Sequence, residues 1–211
     1  MTKMYVDMTG SGTVQTTPDV ATLRLGVSFP AKTVGAALEG CAKQTSDVLA
    51  SIRAIGVESR DLQTASLSVD PRWNNDGTEI VGHTASQMLS VRLRDITTVG
   101  KVITAAGAAA GNSMRMDSLS WTVADPQPLQ VKAREVAFED ARDKAEQLAT
   151  LAGARVGQVL HIIDTDSSSG WAPPTARSYK MMAGAEMDMP TEGGEHQVSA
   201  QVRVRWALVS D

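Results

Sequence analysis

Hydrophobic and polar positions alternate with period two in five stretches of the chain, the pattern of strands with one apolar and one wetted face. In residues 20–29, Leu23, Leu25, Val27 and Phe29 fall on one side, with Arg24, Gly26 and Ser28 on the other. Ala65, Leu67 and Val69 repeat the pattern in 61–70, as do Leu89, Val91 and Leu93 in 84–94, opposed by Ser90, Arg92 and Arg94. Leu119, Trp121 and Val123 mark a fourth strand. The terminal strand, 196–209, is the most regular: Val198, Ala200, Val202, Val204, Trp206 and Leu208 against Ser199, Gln201, Arg203 and Arg205. Burial on one face only belongs to antiparallel sheets.

Three segments switch to helical spacing. Residues 34–55 carry Leu38, Cys41, Thr45, Val48, Ile52 and Ile55 on one face and stop at Gly56. A second helix is predicted over 96–110, capped by Asp95 and ended by Gly111-Asn112. The third runs over 126–152, from Asp125-Pro126 to Gly153, with Ala133, Ala137, Ala141, Ala145 and Ala149 on one stripe and charged residues opposite. A stripe of small side chains suits a helix lying close on a sheet.

The order strand, helix, strand, strand, helix, strand, then helix, strand, strand predicts an α+β fold of antiparallel sheet and three helices. Its first six elements spell a split β-α-β-β-α-β unit of ferredoxin-like type, extended by a helix and two strands. The expectation is a single domain over 1–211, with a core at about 18–124 and an extension at about 125–211. An N-terminal strand or hairpin, around 4–8 and 13–17, precedes the core. Asn74-Asn75-Asp76-Gly77 reads as a turn, and 164–195 as a long loop rich in Gly, Ser, Pro and Met.

Composition narrows the function classes. The chain has 211 residues, net charge −4 and only 4% aromatics, so its core must be aliphatic and Ala-rich. Cations lie scattered among acids, without the cluster that displaces counterions from phosphate, which argues against nucleic-acid binding. Cys41 is the one cysteine; no internal disulfide can form, and the residue reads as a buried small hydrophobe. No stretch approaches a membrane span, and residues 1–5 do not read as a signal peptide. As numbered, the chain is expected in the cytoplasm, or in the periplasm or medium if an export signal has been removed.

Candidate chemistry is sparse. Gly10-Ser11-Gly12 precedes a strand and lacks the later glycine and lysine of a phosphate loop, so it reads as a tight turn or bulge. His83, His161 and His196 share no metal-ligand spacing. No serine sits in a nucleophile elbow, and the carboxylate pairs Glu139/Asp140 and Glu186/Asp188 lie on a wet helix face and in a loop. No catalytic, cofactor or metal residues are therefore assigned, and the chain is read as a non-enzyme. The unusual cluster is Met181, Met182, Met187 and Met189, with Trp171 and Tyr179 nearby. Thioethers can ligate Cu(I) or form adaptable apolar contacts. Trp171, Tyr179, Met181 and Met182 are read as contacts to another copy of the chain, with copper or a small apolar ligand as the alternative and an enzyme assembled only in the fold as a further one.

Gly10-Ser11-Gly12 with Pro18-Asp19-Val20-Ala21, Thr84-Ala85-Ser86-Gln87 leading to Arg94-Asp95, the Ala133–Ala149 helix, Gly153, Gly157-Gln158-Val159 and Gly193-Gly194-Glu195 together resemble the SIMPL-domain family, over about residues 4–209. That resemblance implies a bacterial protein, often periplasmic or surface-exposed, linked to oxidative-stress defence or host immune recognition, and a subunit of a homo-oligomer. It implies no catalytic residues. The leading expectation is a self-associating, non-enzymatic protein with a stress-related or scaffolding role.

Overall fold

The computed structural model describes residues 4–165 and 193–210. In chain order they form β1 (Tyr5–Thr16), β2 (Val20–Ala31), α1 (Val34–Ala54), β3 (Leu62–Trp73), β4 (Ile80–Leu93), α2 (Val99–Ala110), β5 (Met114–Thr122), α3 (Gln127–Leu151), β6 (Ala154–Thr165) and β7 (His196–Ser210). All strand pairing is antiparallel, in two sheets ordered β3-β4-β2-β5 and β1-β7-β6. The fold is α+β. The described residues divide into two compact units: a central one spanning Pro18–Ala124 with Gly193, and a discontinuous one formed by 4–17, 125–165 and 194–210.

In the central unit the elements follow the order β-α-β-β-α-β, and α1 and α2 share one face of the four-stranded sheet. Thr33 starts α1 by accepting a hydrogen bond from the Ala36 amide on its side chain. Ala37, Cys41, Val48 and Ile52 of α1 and Val99, Val102, Ile103 and Ala106 of α2 then meet Leu23, Leu25, Val27, Leu89 and Val91 of the sheet. The segment 96–110 is not one helix. Asp95 accepts from the Thr97 amide and caps a single 3-10 turn, Ile96–Thr98, before α2 begins at Val99.

The edge strand β3 departs from the expected alternation. Its register against β4 slips between Thr64 and Ser66, placing Ala65 at a bulge. Leu62 and Val69, seven residues apart, both reach the core because the bulge resets the parity. Leu67 stands opposite Gln87 on the rim and stays 60% exposed.

The discontinuous unit joins the two ends of the chain. Expected as an addition in front of the core, β1 instead pairs along its whole length with β7, from Tyr5 opposite Ala207 to Thr16 opposite His196. The register is unbroken, so Gly10-Ser11-Gly12 is neither turn nor bulge but the middle of one continuous strand. The physical reason lies in α3. Its Ala133, Ala137, Ala141, Ala145 and Ala149 are all buried against the sheet. A β-carbon on Gly10 would run into the Ala137 carbonyl oxygen and stand 2.8 Å from the Ala141 β-carbon. One on Gly12 would strike the Ala133 carbonyl oxygen. Bare glycines under an alanine stripe let helix and strand touch backbone to backbone. Val6, Val202, Val204 and Trp206 complete this second core, with Phe138 tilted against Trp206 at 6.0 Å between ring centroids.

Candidate functional site

Among the described residues no group of three or more His, Cys, Asp or Glu side chains could hold a metal ion. Within the discontinuous unit, His161 lies beside Arg205 and His196 opposite Thr16, nine positions and about 30 Å apart along β7. His83 belongs to the central unit, on β4 between Ala31 and Pro71. Cys41 is buried in the α1 face, and burial pushes its thiol pKa up, so little thiolate forms. Trp171, Tyr179, Met181, Met182, Met187, Met189, Glu186 and Asp188 lie outside the described residues.

Two charge clusters of the discontinuous unit are committed to holding strands. On the sheet face away from α3, Asp7 receives both guanidinium groups of its neighbours on β7. Arg203 Nε donates to Oδ1 at 2.9 Å and Arg205 Nη2 to Oδ2 at 2.7 Å, while Arg205 lies 4.5 Å over the Tyr5 ring. The hydrogen bonds from Arg203 and then Arg205 hold the Asp7 carboxyl down to about 2, against an ordinary 3.8. A depressed carboxylate pKa gives stability that is present above the unfolded value and lost as pH falls through the folded one. We therefore expect a destabilising limb in this protein between about pH 4 and pH 2. Urea midpoints across that range should show a shallower loss in Asp7→Asn; an unchanged slope would count against the cluster.

The second cluster caps the middle of a sheet edge, at Thr9 and Ser11. β1 has β7 on one side only, so alternate backbone groups of β1 point outward. Asp140 of α3 accepts the Ser11 amide at 2.8 Å, and Lys144 donates to the Thr9 carbonyl at 3.4 Å and to Asp140 at 2.6 Å. The Lys144 ammonium, then the Ser11 amide, pull the Asp140 carboxyl below the usual carboxylate range. The sequence placed Glu139 and Asp140 correctly on a wet face but had no signal for this role, which depends on Gly10 and Gly12 letting α3 come so close.

Among the described residues, two exposed apolar surfaces stand out. At the far edge of the same sheet, β6 exposes Val159, Leu160, Ile162 and Ile163 at 40–53% of their area. Beside it a recess of about 530 Å³ runs between α3 and β6. Val131 and Phe138 form its helix wall, Ile162 its strand wall and Val202 its floor; Arg134, Glu135, Glu139 and Asp164 rim it. Arg134 and Asp164 bridge the two walls at 2.9 Å. In the central unit, the β3–β4 hairpin carries Leu67, Trp73, Ile80 and Val81, each at least half exposed. Trp73 and Ile80 face each other across the two strands. Asn74 stiffens the turn beyond them, its Oδ1 accepting the Thr78 and Glu79 amides at 2.9 and 3.3 Å.

These observations define an α+β protein of two units, each an antiparallel sheet with helical cover on one face; in the discontinuous unit the polar clusters tie strand to strand and strand to helix. A family model matches residues 6–206, and the chain belongs to that family: SIMPL, described as a protein of unknown function (DUF541). The chain is 28% identical over 208 residues to the 26 kDa periplasmic immunogenic protein of Brucella melitensis, covering 94% of this chain and 82% of that one. The uncharacterized protein YggE of Edwardsiella ictaluri is 26% identical over 196 residues, covering 92% and 81%. YggE of Escherichia coli K12 is 26% identical over 160 residues, covering 75% of this chain and 64% of that protein. Among the described residues, no helix is long and apolar enough to cross a membrane.

Proposed function

We propose that this protein is a self-associating, non-enzymatic SIMPL-family protein serving as a structural or stress-defence oligomer, and that the β3–β4 hairpin of the central unit is a self-contact. The observation that carries this reading is the hairpin itself. Trp73, Ile80 and Val81 bring more exposed apolar surface to its tip than a solvated arm needs, beside a turn held by Asn74, and Leu67 adds to it farther along β3. Aromatic anchors of this kind dominate interface energetics. The sequence offers a second contact in Trp171, Tyr179, Met181 and Met182, outside the described residues. The word "periplasmic" in the name of the Brucella relatives supports a location outside the cytoplasm.

Light scattering at micromolar concentration tests the reading. The expected mass is a multiple of 22.3 kDa, falling towards one chain in the double variant Trp73→Arg, Ile80→Lys. An interface anchor is worth about 2 kcal/mol, roughly thirtyfold in the dissociation constant. A wild-type protein that stays at one chain mass throughout would end the proposal. Osmotic-shock fractionation of the native host tests the compartment; recovery with the cytoplasmic markers would contradict it.

A further inference from the structure

We infer that the recess between α3 and β6 binds an extended peptide segment that adds to β6 as a fourth strand and carries apolar and basic side chains on the face it turns towards α3. Three separate features of the discontinuous unit lead there. The alanine stripe seats α3 over β1 and β7, and while Ala154 and Val156 at the start of β6 still pack beneath it, among the described residues the far end of β6 is left open, with Ile162 at 53% exposure. The recess beside it has the size of a ligand site and an apolar interior of Val131, Phe138, Ile162 and Val202.

The second feature is the contrast between the two edges of the sheet. On β1, α3 supplies a carboxylate and an ammonium to the outward backbone groups. On β6, residues 161–165 pair in regular register with 205–201 of β7, so every other residue turns its amide and carbonyl outward. An exposed edge strand lying beside a helix, with an apolar trough between them, is the geometry that captures peptides by strand addition. Main-chain hydrogen bonds then supply affinity, and pockets for alternate side chains supply selectivity.

The third feature is charge. The rim sets one guanidinium, Arg134, against three carboxylates, Glu135, Glu139 and Asp164. Asp164 already holds Arg134. Glu135 also carries Lys132 at 3.2 Å, so Glu139 supplies the main excess of negative charge on the helix side, where the α3-facing side chains of an added strand would end; lysine or arginine is favoured there and glutamate repelled.

The experiment uses the full chain and a labelled heptapeptide with lysine, valine, valine and lysine at alternate positions and threonine between them. Fluorescence anisotropy is the readout. Saturable binding is expected, weakened about tenfold or more when glutamate replaces the peptide lysines. Methylating alternate peptide amides should abolish it, because that removes the ladder donors. The protein double variant Glu135→Lys, Glu139→Lys should reverse the preference between the two peptides. Both positions are exposed on the helix, and an unchanged thermal midpoint would confirm that the variant is folded. Ile162→Lys should remove binding. No saturable binding at millimolar peptide overturns the inference, as does binding indifferent to amide methylation or to the charge swap. A peptide-free dimer that Ile162→Lys dissolves, with no peptide binding, assigns the recess to a second copy and also overturns it.

Discussion

Gly10→Ala is expected to destabilise the β1-β7-β6 sheet and its helix by about 3 kcal/mol, and Gly10→Val by more, because overpacking a tight interface forces backbone shifts. The added β-carbon meets the Ala137 carbonyl and the Ala141 amide, which belong to helix backbone and cannot rotate away. Either α3 lifts off β1, or β1 bends away from β7. In both cases Asp140 loses the Ser11 amide, so the edge opens as the core loosens. Against a typical total of about 5–15 kcal/mol, such a loss is large. Hydrogen exchange should show it first in the amides of β1 and α3. Gly35 is the internal control: nothing lies within 4 Å of a β-carbon added there, so Gly35→Ala should leave the urea midpoint in place or raise it slightly. Equal effects at the two positions would mean that the close approach does not exist.

The second large effect is expected at Leu25. It is fully buried on the central strand of the four-stranded sheet, with Leu89 opposite on one side and Met116 on the other. Leu25→Ala removes an isopropyl group from a site ringed by sheet and helix side chains, and should cost about 3 kcal/mol in urea unfolding. Leu67→Ala makes the same chemical change on the exposed rim of β3 and should stay within about 0.5 kcal/mol of wild type. If the two variants unfolded alike, the assignment of core and rim in the central unit would be wrong.

Much of this architecture can be read from local pattern. The helical period of 34–55 and 126–152 reproduces α1 and α3 to within a residue or two, and the alternation of Val202, Val204 and Trp206 marks the buried face of β7. What escaped is non-local. Nothing near Met8 or Gly10 says that β1 will pair with a strand nearly two hundred residues later, so the partition into two sheets was invisible. Glycine has two uses, turning a chain and letting backbones touch, and the spacing of Gly10 and Gly12 fits both. The small stripe on α3 is the clue that the two are complementary. Ala65 misled because a bulge leaves no mark in a hydrophobic pattern. The Asp7 cluster and the α3–β6 recess escaped for the same reason, since each joins segments that meet only after folding.

The asymmetry between the two margins of the β1-β7-β6 sheet limits what can be built from it. With Asp140 and Lys144 occupying the Thr9 and Ser11 backbone groups in the middle of one margin, strand addition is directed to the other, and a recruited strand meets that capped stretch at the far side of its host. Growth by this route stops after a single addition. It favours one-to-one complexes with a peptide over fibrils, a safeguard encoded in two helix side chains one turn apart.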